Sequence, residues 1–178
     1  MKLTIDDFFQ LTKVRLALSV VFSSLAGYFL AAESINIKTI LFLFIGGFSM
    51  VGSSNIFNQL IEKDRDSLMS RTSGRPLPGN RMVPSQVLLI GLFLAFTGIV
   101  TLSMINIKTA LVGAISICLY VFTYTPLKIR TPLSVFAGAI PGAIPYMLGW
   151  VAYTNSFGIE TGVLFLFQFF WQFPHFWA

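Results

Sequence analysis

The sequence is poor in charged residues and in the side chains that most often bind metals or form cross-links. Only 11% of its 178 residues are charged, against about 25% in a soluble domain. It has one cysteine, Cys118, which excludes a disulfide framework and a cluster of thiolate ligands. Hydrophobic residues make up 55% of the chain and include 19 phenylalanines. This composition indicates an integral membrane protein.

Long apolar segments separate the few charges. A helix needs about 20 apolar residues to cross a bilayer, and these segments are continuous, unlike the alternating strands of a membrane barrel. We therefore predict an all-α, polytopic transmembrane helix bundle that forms a single domain over residues 1–178. Its six predicted helices lie near 16–32, 39–60, 84–104, 109–125, 133–153 and 160–178. The first is short, and we expect it to extend toward Thr12.

Most of the 12 lysine and arginine residues fall on one side of the predicted helices. They precede the first helix, occupy the 61–83 loop or follow the fourth helix, whereas Lys38 and Lys108 fall on the other side. Because cytoplasmic loops of membrane proteins carry the excess of Lys and Arg, we predict a cytoplasmic N-terminus and a cytoplasmic 61–83 loop. The net charge of +5 then reflects topology and local anion binding. We expect no binding of nucleic acid.

The fifth predicted helix contains two prolines, Pro141 and Pro145, among several glycines. Each proline removes a helix donor and frees a carbonyl, which is tolerated in a membrane where the break faces protein or a water-lined cavity. Two interpretations remain open. The helix is kinked and uses its small residues for close packing, or its bend shapes a substrate chamber.

An acidic motif lies directly after the second predicted helix. Asn58, Glu62 and Asp66 are spaced four residues apart, so a helix would place them along one stripe, with Asp64 near the opposite side. Oxygen ligands on one face suit Mg²⁺, which keeps several waters and often shares the phosphates of a substrate. Ionisable residues at the end of a membrane helix indicate a functional site.

The alternative for this motif is a solvated loop whose charges pair with one another. In that case Glu62 would pair with Lys63 or Arg65, and Asp66 would pair with Arg71. The position of the acids directly against an apolar span favours the functional interpretation.

Basic side chains follow the acids and reappear after the fourth predicted helix. Arg71 and Arg75 lie in a turn-rich loop, and the guanidinium fork matches phosphate oxygens. Tyr124, Lys128 and Arg130 fall on the same predicted side of the membrane. These residues are candidates for binding a diphosphate. The alternative is that they anchor the protein to lipid headgroups.

The sixth predicted helix carries a polar stripe within an aromatic segment. Gln168, Gln172 and His175 recur at helical spacing, and Trp171 lies beside them. His175 is either a hydrogen-bonded residue of the bundle or a ligand for an iron, a carboxylate or a phosphate. The aromatic rings favour packing, and some could stabilise a carbocation.

Together these segments resemble the UbiA-type intramembrane prenyltransferase superfamily. Its first motif, Asn-x3-Asp-x3-Asp, corresponds to Asn58, Glu62 and Asp66, with Asp64 as the usual intermediate acid. The segment 71–77 matches its Arg-Thr-x2-Arg-Pro-Leu, and 124–128 matches its Tyr-x3-Lys. The segments 141–150 and 171–176 resemble the heme O synthase branch in particular.

The resemblance implies transfer of a farnesyl group from farnesyl diphosphate to a vinyl group of heme B, giving heme O for heme A biosynthesis. It implies that the acidic motif holds Mg²⁺ and that Lys128 and the nearby basic residues stabilise the diphosphate as it leaves. It further suggests heme binding by His175 and Trp171. The protein is expected in the bacterial plasma membrane with a cytoplasmic active site. The next enzyme of heme A biosynthesis is a possible partner.

Two departures from the family pattern bear on these expectations. Glu62 stands where the family usually has Asp, which moves the carboxylate by one methylene. Family members also have about nine spans and a second acidic motif, so we expect residues 1–178 to carry half of the site and to be inactive alone. The alternatives are a quinone- or chlorophyll-type prenyltransferase, a small transporter and an inactive heme-binding fragment.

Overall fold

In a computed structural model, the described residues 4–177 are organised almost entirely as helices, with side chains described for residues 4–174. The helices are α1 (Ile5–Thr12), α2 (Val14–Ala31), α3 (Ile37–Asp66), α4 (Pro84–Ser103), α5 (Ile107–Cys118), a π-helical segment (Leu119–Tyr124), α6 (Thr125–Leu127), α7 (Ser134–Thr154) and α8 (Ile159–Trp177).

Five helical stretches in this part of the chain are long and apolar enough to cross a membrane. They are α2, α3, α4, the stretch Ile107–Leu127 and α7, so the prediction of a polytopic all-α membrane protein is confirmed. The sixth predicted helix corresponds to α8, which is not among those five. The largest error in the predicted bounds is at α3, which ends at Asp66 and not near residue 60. The whole acidic motif is therefore helical.

The N-terminal segment forms a separate helix, α1, that the sequence analysis did not predict. Thr4 caps it by accepting a hydrogen bond from the Asp7 amide, and Lys13 ends it in the left-handed conformation at φ 49°. The expected extension of the first span toward Thr12 is therefore limited to two residues, because the joint at Lys13 stops it. The membrane helix starts at Val14, and Lys13 is the joint between two helices.

The fourth predicted helix is interrupted by the π-helical segment. Pro126 has no N–H to donate, and a wider turn forms just before it. Thr125 fills this turn, because both its amide and its hydroxyl donate to the carbonyl of Tyr120, the hydroxyl at 2.9 Å. The π-helical segment packs against α7 and α3.

Helix α7 runs without a break through Pro141 and Pro145. Its small residues bring it against α2, as the close-packing interpretation predicts. A Cβ at Gly149 would overlap the carbonyl oxygen of Ser24, and a Cβ at Gly27 would overlap that of Tyr146. Backbone therefore meets backbone along this interface.

A buried apolar core fills the half of the bundle that lies away from the acidic motif. It draws side chains from α2, α3, α4, α5 and α7, including Tyr28, Leu43, Met50, Leu102 and Leu148. A second cluster joins α1 to α3 and α4 through Leu11, Ile56 and Val87. Between these two cores the interior is more polar.

We expect Gly149→Ala to destabilise the bundle, because the added methyl group would separate α2 from α7. Overpacking of this kind costs about 1–3 kcal/mol. Thermal unfolding of the purified protein in detergent measures the effect. The control is Gly162→Ala, since a Cβ at Gly162 meets no atom within 4 Å. Equal unfolding temperatures for the two variants would contradict the close contact.

Candidate functional site

A polar cavity of about 790 Å³ lies at the end of the bundle where α3 carries its acidic motif. The end of α3 forms one wall, and the joint between α1 and α2 forms another. The 67–83 loop and the residues after α6 complete it. We call this space the polar cavity. It brings together side chains that are distant in the sequence: Lys13, Asn58, Glu62, Asp66, Arg75 and Lys128.

The two acids of the stripe are buried and paired with cations. Asp66 is 5% exposed and forms an ion pair with Arg75 at 2.5 Å. Glu62 is 8% exposed, and its carboxylate lies 3.3 Å from the ammonium group of Lys128. A buried charge requires such a partner. Arg75 and Lys128 take the places that the solvated-loop alternative gave to Arg71, Lys63 and Arg65.

Asn58 joins the stripe to the π-helical segment. Its side-chain amide donates to the hydroxyl of Thr125 at 3.4 Å, and Thr125 is itself fixed on Tyr120. Since the amide nitrogen is used in this way, the oxygen is the atom that can ligate a cation. The π-helical turn is thereby linked to α3 just before the segment that carries Lys128.

Of the other predicted site residues that the structure describes, only Arg71 lines the polar cavity. Arg71 is exposed and lines the polar cavity. Asp64 lies on another face of α3, beside Lys63 and Leu77, and does not line the cavity. Arg130 is exposed and outside the lining, and Tyr124 lines a different cavity in the membrane half.

Lys13 is a site residue that the sequence analysis used only for topology. It lines the polar cavity from the joint between α1 and α2. Its pKa is lowered to about 8, first by burial and then by repulsion from Arg75 and Lys128, against the attraction of Glu62 and Asp66. The signal in the sequence is a lysine directly before an apolar run, which is also the pattern of an ordinary lipid anchor.

The position of Lys13 depends on how α1 is held. The last carbonyls of α1 have no helical donors. Side-chain amides of α3 supply them: Asn55 donates to the carbonyl of Thr12 at 3.0 Å, and Gln59 donates to that of Leu11 at 2.8 Å. These amide groups are buried. They fix the joint directly over the polar cavity.

Arg81 ties α1 to the loop that carries the cationic residues. Its guanidinium donates to the Asp7 carboxylate at 2.9 Å, to the Gly74 carbonyl at 2.8 Å and to Gln10 at 2.9 Å. Hydrogen bonds from Thr4 and from Arg81 lower the pKa of the Asp7 carboxyl. Gly74 precedes Arg75, so this contact helps to place the Arg75 side chain on Asp66.

A second, mainly apolar cavity of about 500 Å³ lies in the membrane half, between α2, α3, α5, α7 and α8. We call it the membrane chamber. Tyr120 and Tyr124 line it, as do Pro141 and Trp171. Gln172 donates to the carbonyl of Gly142 at 3.3 Å and connects α8 to α7. The predicted ligand His175 falls outside the residues whose side chains are described.

The donor set of the polar cavity fits a hard divalent cation that keeps most of its own water. Asn58, Glu62 and Asp66 offer oxygen atoms from one helical stripe into one cavity. Within residues 4–174, no three His, Cys, Asp or Glu side chains converge as a complete metal-binding group. Such a partial set suits Mg²⁺ bound together with phosphate oxygens.

The described residues thus combine a membrane-type helical bundle with a cavity of paired acids and cations at one end. The model of the UbiA prenyltransferase family matches residues 20–178, and the chain belongs to this family.

Two curated relatives of high identity share one name. The chain is 61% identical to a protoheme IX farnesyltransferase of Flavobacterium psychrophilum, with 97% of the chain and 59% of the relative covered. It is 60% identical to that of Christiangramia forsetii, with 98% of the chain and 58% of the relative covered. The chain thus spans about three fifths of the length of these relatives.

Solved structures share the fold. A digeranylgeranylglyceryl phosphate synthase superposes with a TM-score of 0.83 at 19% identity, covering 93% of this chain and 58% of that one. A UbiA homologue from Archaeoglobus fulgidus, bound to DMAPP and Mg²⁺, superposes with a TM-score of 0.76 at 14% identity, covering 95% and 62%.

We expect Lys13 to lose its proton near pH 8 in metal-free buffer. The pKa should fall further in Glu62→Gln, which removes an attraction, and rise in Arg75→Gln, which removes a repulsion. The rate of acetylation at Lys13 against pH, followed by mass spectrometry, measures this pKa. A midpoint at the ordinary value of 10.5 in the unmodified protein would contradict the burial of Lys13.

Proposed function

We propose that the chain provides the diphosphate site of a farnesyltransferase that acts on protoheme IX and yields heme O. One observation carries this proposal: buried acids and cations face each other in a cavity directly beside an apolar membrane chamber. The relatives named protoheme IX farnesyltransferase support the choice of substrates. Because the chain spans about three fifths of their length, the reaction is proposed for the whole protein that they represent.

The diphosphate of farnesyl diphosphate would enter the polar cavity. Asn58, Glu62 and Asp66 would hold Mg²⁺, which as a Lewis acid offsets the negative charge of the leaving diphosphate. The UbiA homologue of known structure with DMAPP and Mg²⁺ supports this choice of metal. Glu62 and Asp66 have cationic partners in the protein alone, so binding of substrate and metal would replace ion pairs that already exist.

The cationic side chains would then contact the diphosphate directly. Arg75 and Lys128 would move from the carboxylates to phosphate oxygens, and Arg71 and Lys13 would add charge from the rim. Fixed charges aimed at a leaving group stabilise the transition state strongly because they need no reorganisation during the reaction. Tyr124 and Arg130 do not line the polar cavity, so roles for them at the diphosphate require substrate-bound rearrangement.

The prenyl chain would lie in the membrane chamber. When the carbon–oxygen bond to the diphosphate breaks, the electron pair leaves with the diphosphate, and the allylic cation that remains must be kept from water until a heme vinyl group attacks it. That attack would move the positive charge to the former vinyl carbon next to the heme ring, where a water molecule would add and lose a proton, giving the hydroxyl group of heme O. The apolar lining of the chamber excludes water, and the rings of Tyr120 and Trp171 offer electron-rich faces to a cation. Trp171 and His175 remain our proposed contacts for the heme.

The location of the site supports an enzyme over a transporter. In a transporter the polar groups of the binding site lie near the middle of the membrane, whereas here the charged residues cluster at one end of the bundle. We place that end, with the N-terminus, on the cytoplasmic side of the bacterial plasma membrane. The product would pass to the next enzyme of heme A biosynthesis. A quinone-type acceptor is the alternative that the relatives disfavour.

The proposal is tested with membranes that contain the protein expressed from its complete gene. Incubation with heme B, farnesyl diphosphate and Mg²⁺ should give heme O, identified by mass, and EDTA should abolish its formation. Glu62→Gln and Asp66→Asn should each lower the rate about 10²–10³-fold, the usual cost of removing one group that stabilises developing charge.

The matched control is Asp64→Asn, which removes an acid from the same helix on a face away from the polar cavity. It should retain most of the activity. Absence of heme O with the unmodified protein would overturn the proposed function. Equal losses in Asp64→Asn and Asp66→Asn would overturn the assignment of the stripe.

A further inference from the structure

The membrane chamber begins one helical turn below the polar cavity. On α3, Asn55 lines the chamber and Asn58 lines the polar cavity. On the neighbouring helix, Tyr124 lines the chamber and Lys128 lines the polar cavity. A chain attached to a group in the polar cavity would therefore need to pass only about one helical turn to reach the chamber.

The far end of the chamber is closed by the buried apolar core. Met50, Leu102 and Leu148 belong to that core and also line the chamber. Met50 is only 5% exposed and is the one of these three contributed by α3, the helix that carries the acidic stripe. It therefore lies beneath a chain that descends from the stripe, beside Gly47, which also lines the chamber.

The side chain of Met50 packs closely against two glycines of neighbouring helices. A Cβ at Gly98 of α4 would stand 2.6 Å from the Met50 sulfur, and a Cβ at Gly113 of α5 would stand 3.2 Å from its terminal methyl group. At Gly113 the side chain of Leu102 is closer still, at 2.9 Å, whereas at Gly98 the three nearest atoms all belong to Met50. Shortening Met50 would therefore open a void beside Gly98 that continues the chamber, since glycine has no side chain to refill it.

The distance along α3 from the acidic stripe to Met50 matches one length of prenyl chain. Eight residues separate Asn58 from Met50 on α3, a rise of about 12 Å. The main chain of a farnesyl group has twelve carbons and extends about 13 Å at roughly 1.2 Å per bond, the reach of an extended backbone. A further isoprene unit adds about 5 Å by the same measure, and that length would collide with Met50.

We propose that Met50 is the residue that limits the prenyl donor to the farnesyl length. The proposal rests on the proposed function, because the polar cavity must hold the diphosphate of that donor. Met50 contacts neither the diphosphate nor the reacting carbon in this arrangement. It acts at the opposite end of the chain, by ending the space available to it.

The test compares geranyl, farnesyl and geranylgeranyl diphosphates as donors to heme B, with the protein expressed from its complete gene. In Met50→Ala, kcat/KM for geranylgeranyl diphosphate relative to farnesyl diphosphate should rise at least about tenfold, as expected when a hydrophobic pocket gains space for small apolar groups. Met50→Leu keeps the volume and should keep the preference for farnesyl.

Two further variants separate chain length from stability. Leu43→Ala removes a side chain of the same core that does not line the chamber, so it should lower the unfolding temperature without changing the preference. Gly47→Val adds volume within the chamber, where a Cβ meets only Val21 at 3.4 Å. It should favour geranyl diphosphate over farnesyl diphosphate.

The outcomes distinguish the two proposals. If the unmodified protein transfers no prenyl group from any donor, the proposed function fails. If it transfers farnesyl but Met50→Ala and Gly47→Val leave the ratios unchanged, the proposed function stands and the role of Met50 is overturned. A change of ratio in Leu43→Ala equal to that in Met50→Ala would also overturn it, because the effect would then follow core stability.

Discussion

The structure depends on keeping two buried carboxylates, Glu62 and Asp66, charged at the end of a membrane helix. A buried charge without a partner costs several kcal/mol, so cations must be brought to them from other parts of the chain. Arg75 comes from the loop after α3, and Lys128 comes from beyond the π-helical segment. Three features help to bring these cations to the acids: the joint between α1 and α2, the wide turn at Thr125 and the folded loop after α3. A site organised in this way is already arranged for an anionic ligand that carries its own cation.

The sequence was sufficient for the parts of the fold that follow from hydrophobicity alone. Long apolar runs predicted the spans, and four-residue spacing predicted the face shared by Asn58, Glu62 and Asp66. The partners of the acids could not be predicted, because pairing across helices depends on tertiary packing and neighbouring charges seemed equally suitable in the sequence. Helix α1 was missed although its eight residues are clearly amphipathic, because so short a segment was overlooked beside a long apolar run. The π-helical turn could not be predicted either, because Pro126 shortly after it is its one distinctive sequence feature.

The two interiors of the bundle have different physical characters, and this difference supports the division of tasks. Around the polar cavity, helices are joined by amide and ion-pair contacts that an incoming anion can exchange. Around the membrane chamber, they are joined by glycine contacts and apolar side chains, which hold their distances because packed interiors resist small displacements. The polar cavity is thus suited to binding a charged group, because its ion pairs can be exchanged. The membrane chamber is suited to selecting a ligand by shape, because its packed walls cannot shift.

The contact between Asp7 and Arg81 also bears on how the protein is made. The two residues are 74 positions apart, so the ribosome synthesises Arg81 roughly 4–15 s after Asp7 at about 5–20 residues per second. During that interval α2 and α3 are translated, while α1 has neither its guanidinium partner nor, at first, the amides of α3. Helix α1 can therefore complete its contacts only after α2, α3 and the loop have been translated. A helix that precedes both spans in the sequence thus depends on residues that follow them.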